Sequence, residues 1–131
     1  MAAQPIVHIE LSTVNGAESA KFYSDLFGWD LQHMAQFDYW TFRADGGPGG
    51  GFNNVSNANT EALGFEVKPG TVVTYVGSDD IEADLARAEA LGGKIVTTKM
   101  EIPSMGWFGI FSDPSGNLIG LYTDMPKPAE G

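Results

Sequence analysis

The chain has 131 residues, 43% of them hydrophobic and 18% charged, one domain's worth of sequence and enough to bury a core. Its 17 acidic against 7 basic residues give a formal charge of −10 with no basic cluster, a field that opposes nucleic-acid backbones. No apolar run approaches a membrane span, Met1–Val7 lacks the basic start and apolar stretch of a signal peptide, and the absence of cysteine excludes disulfides and thiolate sites. A cytoplasmic protein with no nucleic-acid or membrane partner is expected.

Val7, Ile9 and Leu11 alternate with His8, Glu10 and Ser12, the period of a strand with one face buried. Asn15 with Glu18 three places on marks a helix start of the capping-box kind. Ala20, Tyr23 and Phe27, with Phe22 and Leu26 beside them, form an apolar stripe at helical spacing, and Gly28 supplies a left-handed stop. Trp29–Met34 and Tyr39–Arg43 read as strands separated by a turn around Gln36-Phe37-Asp38, with Trp29 in the core. Gly46–Gly51, with Pro48, reads as a glycine-rich hairpin turn leading into a short strand at Phe52–Val55. It lacks the Gly-Lys-Ser/Thr of a phosphate loop.

Ser56–Gly70 is the connector, with a short structured turn near Glu61–Gly64, and the pattern then repeats. Val72–Val76 is a strand, Asp79 with Glu82 opens a helix burying Ile81, Leu85, Ala88 and Leu91, and Gly92-Gly93 closes it. Lys94–Thr98 and Trp107–Phe111 are strands, and the latter turns through Asp113-Pro114-Ser115-Gly116 into Leu118–Tyr122. From Asn15 to Asp79 the offset is 64 residues and from Asp45 to Asp113 it is 68, so residues 6–55 and 71–122 are two copies of one unit. The tail from Met125, with two prolines, is expected to fray. Strand, helix and three strands in each half predict an α+β fold.

His8 just ahead of Phe22-Tyr23…Leu26-Phe27-Gly28-Trp29, and Tyr75-Val76-Gly77-Ser78-Asp79-Asp80-Ile81 before the second helix, carry a family signature. Gly92-Gly93 and Ile102-Pro103-Ser104-Met105-Gly106…Phe111-Ser112-Asp113-Pro114-Ser115-Gly116-Asn117 complete it. In this order the chain resembles the glyoxalase / bleomycin-resistance / extradiol-dioxygenase family, the vicinal oxygen chelate superfamily, and within it the metal-poor glyoxalase-like branch. The resemblance implies one domain over residues 1–131 of two tandem βαβββ modules, 5–55 and 71–123 joined by 56–70, forming a curved sheet around a cleft. It also implies a pseudo-twofold relation that matches Val73 to His8 and Tyr75 to Glu10.

In the family's enzymes a divalent metal sits in that cleft. His8 falls on the position of the first-strand ligand, but Val73 and Gly120 stand where the resemblance expects two others, so no metal or other cofactor is expected. His8 and Glu10, two apart on a strand, share a face, and Tyr75 on the matching strand is placed to approach them. His8 is expected to hydrogen-bond Glu10 or Tyr75, or to contact ligand directly.

Alternation leaves open which face of Tyr39–Arg43 meets the ligand. Tyr39, Thr41 and Arg43 are favoured over Trp40 and Phe42, because Arg43 would then neutralise Glu10. Tyr122, and an aromatic Trp107 after Gly106, complete the expected ligand-binding set of His8, Glu10, Tyr39, Arg43, Tyr75, Trp107 and Tyr122. The expected function is the binding of a small, partly apolar or cationic molecule without the usual metal, by a homodimer. The alternatives are a metal-dependent lyase, dioxygenase or epimerase of the same superfamily, and a dimeric interaction module with a vestigial cleft.

Overall fold

The Ile6 run folds as the strand its alternation predicts, β1 (Ile6–Thr13), in a computed structural model that describes residues 3–36, 38–56 and 60–126. The chain divides into two units, Ile6–Tyr75 and Val76–Gly131, the N-terminal residues 1–5 going with the second.

In the Ile6–Tyr75 unit, β1 is followed by α1 (Gly16–Phe27), β2 (Asp30–Met34), β3 (Tyr39–Arg43), β4 (Gly49–Asn54) and the short α2 (Thr60–Leu63). The unit closes on the first residues of β5 (Val73–Gly77), and its strands lie in the order β2-β3-β4-β1-β5. Both helix-end signals of α1 are in place. The Asn15 side chain accepts from the Glu18 amide at 3.1 Å, and Gly28 adopts φ 72°, donating its N–H to Ser24.

α1 lies against β2, β3 and β4 through an aromatic stack. Tyr23 stacks on Trp29 at 5.1 Å and on Phe52 at 5.6 Å, and Trp29 stacks on Phe42 at 4.4 Å. The expected stripe narrows to Ala20 and Tyr23. Phe22, Leu26 and Phe27 are each 58% exposed, because the rings of Trp29, Phe42 and Phe52 already fill the space beneath the helix.

The glycine run is the other departure. Gly46 makes the turn with φ 86°, but Gly49, Gly50 and Gly51 belong to β4 rather than to a hairpin loop. There β4 pairs parallel with β1 and antiparallel with β3, which aligns Glu10 with Gly51 and Gly51 with Thr41. The central position of β4 accounts for two of these glycines. A Cβ on Gly50 would lie 2.1 Å from the Ile9 carbonyl oxygen and 2.2 Å from Phe42 Cζ. One on Gly51 would lie 2.0 Å from the Tyr39 hydroxyl.

The second unit repeats the plan after the end of β5, with α3 (Ile81–Ala90), β6 (Lys94–Ile102), β7 (Gly106–Ser112) and β8 (Leu118–Asp124). Its strands lie in the antiparallel order β8-β7-β6, and Ile81, Leu85 and Leu121 form the core beneath α3. The helix cap is Asp80 rather than Asp79: its side chain accepts from the Ala83 amide at 3.0 Å. Leu91, expected in the core, is 81% exposed because it is the C-cap, where the helical period no longer applies. Asp113 holds its turn by accepting from the Asn117 side chain and from the backbone amides of Asn117 and Ser115, which keeps its carboxyl below the usual range.

Each half therefore has the order βαβββ, and the fold is α+β. Among the described residues no helix is long and apolar enough to cross a membrane. Phe37, part of the expected turn, residues 57–59 of the connector and residues 127–131 of the tail lie outside the described residues.

Candidate functional site

Four of the residues expected from sequence meet on one face of the Ile6–Tyr75 sheet: His8, Glu10, Tyr39 and Tyr75. Alternation along β1 puts His8 and Glu10 on that face. β3 delivers Tyr39, whose ring crosses β4 above Gly51 to reach β1.

The Tyr39 hydroxyl stands between the two β1 side chains. It is 3.0 Å from His8 Nε2 and donates to Glu10 Oε2 at 2.9 Å. The Tyr75 hydroxyl lies near the same carboxylate, and Asn53 Nδ2 makes a longer contact to Glu10 Oε1 at 3.5 Å. Tyr75 also meets the His8 ring edge-on, with centroids 5.6 Å apart. Sequence reasoning expected Glu10 or Tyr75 as the hydrogen-bond partner of His8; the partner is Tyr39. It missed Asn53 and the role of Gly51, whose only signal was a glycine run that reads locally as a turn.

The electrostatics follow from enclosure. Burial raises the Glu10 carboxyl above its usual range, opposed by the hydrogen bond from Tyr39 and by the nearby Tyr75 hydroxyl. Burial and the neighbouring Glu10 charge hold both phenols well above theirs, and burial lowers His8. Among the described residues no basic side chain pairs with Glu10. Arg43 does not take the neutralising role expected of it. It is exposed at the far end of β3, four residues from Tyr39, roughly 13 Å along an extended strand.

Trp107 and Tyr122 belong to the other unit. Trp107 packs against the Ile81, Leu85 and Leu121 core with Lys99 Nζ 5.4 Å above its ring. The Tyr122 hydroxyl donates to the Met105 carbonyl at 3.3 Å, and burial together with Asp124 pushes its pKa up to about 12.

The divalent ion implied by the resemblance does not suit this donor set. His8 and Glu10 are the imidazole and carboxylate that β1 offers, and the Tyr39 hydroxyl already engages both, donating to Glu10 Oε2 and lying 3.0 Å from His8 Nε2. Val73, where the resemblance expects a ligand, is an aliphatic side chain 3% exposed. Among the described residues no group of three or more His, Cys, Asp or Glu is placed to hold a metal.

An enclosed carboxylate makes stability depend on pH. Below its ordinary value of 4.5 Glu10 is protonated folded and unfolded, and its contribution to stability is complete; that contribution is lost as pH rises through the elevated folded value. His8 acts with the opposite sign, its contribution being present above 6.5 and lost as pH falls through the lowered folded value. Unfolding midpoints of wild type and Glu10→Gln should therefore diverge with pH. Relative to the variant, the wild type should lose stability as pH rises above the ordinary carboxyl value of 4.5. Parallel curves would show that Glu10 titrates normally.

Comparison with known proteins agrees with the fold. The model of the Glyoxalase/Bleomycin resistance protein/Dioxygenase superfamily matches residues 5–121. The anthracycline biosynthesis protein DnrV of Streptomyces peucetius is 26% identical over 135 residues, covering 86% of this chain and 44% of its own length. A glyoxylase-like domain-containing protein of Didymella fabae is 28% identical over 121 residues, covering 88% of this chain and 90% of its own length. The crystal structure of a glyoxalase/bleomycin resistance protein/dioxygenase superfamily member from Vibrio splendidus superposes with a TM-score of 0.62 at 17% identity, over 93% of this chain and 100% of that one. The chain spans about half the length of several curated relatives it matches, 43% or 44%.

Proposed function

Because the chain belongs to the glyoxalase/bleomycin resistance protein/dioxygenase superfamily, we propose that it binds a small, partly apolar or cationic molecule at the His8–Glu10–Tyr39–Tyr75 cluster, without a divalent metal as the anchor. The observation that supports this most is the Tyr39 hydroxyl, which occupies the position between His8 and Glu10 and engages His8 Nε2 and Glu10 Oε2 from within the protein. An enclosed carboxylate with two phenols and an imidazole is costly to build into a sheet unless it is used. A carboxyl with no basic side chain paired to it among the described residues, on a chain of net charge −10, favours a cation or a hydrogen-bond donor over an anion. Tyr39 and Tyr75 supply aromatic surface for an apolar portion.

Thermal-shift screening against aromatic amines, phenols and cationic antibiotics tests the reading. A binder should raise the midpoint in wild type, and His8→Ala should weaken that binder by roughly 1–2 kcal/mol, the scale of one partly buried hydrogen bond. Stoichiometric divalent metal in purified protein that disappears in His8→Ala would replace this reading with a metal-dependent enzyme. No shift from any member of the set would remove the binding reading.

A further inference from the structure

Tyr39 has one hydroxyl proton and two hydrogen-bond partners. The Tyr39 hydroxyl donates its proton to Glu10 Oε2 at 2.9 Å, and Asn53 Nδ2 points a second donor at the other oxygen of the same carboxylate at 3.5 Å. The Tyr39 oxygen must then accept from His8, which places the imidazole proton on Nε2. Nδ1 is left with a bare lone pair. The contacts of the His8 ring are that one hydrogen bond and the ring contacts with Tyr39 and Tyr75, none of which satisfies Nδ1. No buried side-chain nitrogen or oxygen among the described residues lacks a partner, so an unpartnered Nδ1 on this half-buried residue is reachable from outside.

We propose that His8 Nδ1 is the recognition atom of this site, an acceptor fixed in place by Tyr39 and Glu10, and that it selects an aromatic ligand carrying an O–H or N–H donor. The chain of hydrogen bonds gives the selection its strength. When a donor binds at Nδ1, the Nε2–H, the Tyr39 hydroxyl and the Glu10 carboxylate polarise in the same direction. A ligand presenting a carbonyl or carboxylate to the same atom would set lone pair against lone pair. Gly51 belongs to the device, since a Cβ there would displace the Tyr39 hydroxyl from its place beside His8.

The identity of the recognised group rests on the binding reading above; the tautomer does not. Long-range proton–nitrogen spectra of ¹⁵N-labelled protein at neutral pH test it, with His33→Gln assigning the two histidines. His8 should show a protonated Nε2 and an unprotonated Nδ1, and Tyr39→Phe should release it into a mixture of tautomers. A His8 proton on Nδ1 in the wild type overturns the proposal.

Phenol, benzylamine and anisole are then titrated in. Phenol and benzylamine should move the Nδ1 resonance toward the hydrogen-bonded range and bind about fivefold to tenfold more tightly than anisole, which lacks the donor. A response to phenol alone marks a neutral hydroxyl as the recognised group, and a response to benzylamine alone marks an ammonium. Equal binding of all three, or no movement of Nδ1 with any of them, overturns the recognition role. If Nδ1 is bare and the thermal-shift screen finds no binder, the binding reading fails and the tautomer stands.

Discussion

Gly50→Ala should cost about 3 kcal/mol or more of stability, whereas Gly51→Ala, one residue on, should cost less, about 1–3 kcal/mol, the scale of leaving the enclosed Glu10 short of one hydrogen bond. The added Cβ at Gly50 meets the backbone carbonyl of Ile9 at 2.1 Å on the neighbouring strand and the Phe42 ring at 2.2 Å on the helix side. Neither can retreat: one is fixed in the β1–β4 ladder and the other is buried in the aromatic stack. At Gly51 the atoms nearest the Cβ are the outer end of Tyr39, a side chain rather than backbone, and the gain in strand preference over glycine offsets part of the strain. The consequence at Gly51 is local, because a displaced Tyr39 no longer links His8 to Glu10. Urea unfolding of both variants decides the matter. Equal destabilisation would mean that Tyr39 is as firmly held as the strand backbone.

Phe52→Ala should cost about 3–5 kcal/mol, the scale of emptying a buried aromatic position. Phe52 is 2% exposed and stands beside Tyr23 at 5.6 Å and Phe42 at 5.5 Å, so its removal unseats α1 from the sheet as well as leaving a cavity. Urea unfolding midpoints measure the loss. A cost below roughly 2 kcal/mol would mean that the exposed rings Phe22 and Phe27 fold inward to fill the space.

Local signals were reliable where the physics is local. Asn15 and Gly28 bound the first helix because a side-chain cap and a left-handed stop act within one turn of chain. The period-2 alternation of Val7–Ser12 was enough to place His8 and Glu10 on one face, since successive side chains of any strand point to opposite sides. The order and spacing of the two halves carried the βαβββ repeat and, through the resemblance, the family.

Other features depended on strands far apart in sequence. The face of β3 that joins the site follows from β4 lying between β1 and β3, a register that aligns Glu10, Gly51 and Thr41 across three strands. Only that placement lets Tyr39 cross a glycine to reach Glu10, while Arg43 is left exposed at the other end of the strand. The same insertion turned Gly49–Gly51 from an expected turn into a strand, because close neighbours on both sides, rather than local flexibility, require the missing side chains at Gly50 and Gly51. The sequence by itself determined the repeat, the ends of the first helix and the shared face of His8 and Glu10. Tertiary structure decided which tyrosine bridges them and leaves His8 one open nitrogen, because hydrogen-bond partners 29 and 31 residues apart are chosen by sheet register and not by spacing along the chain.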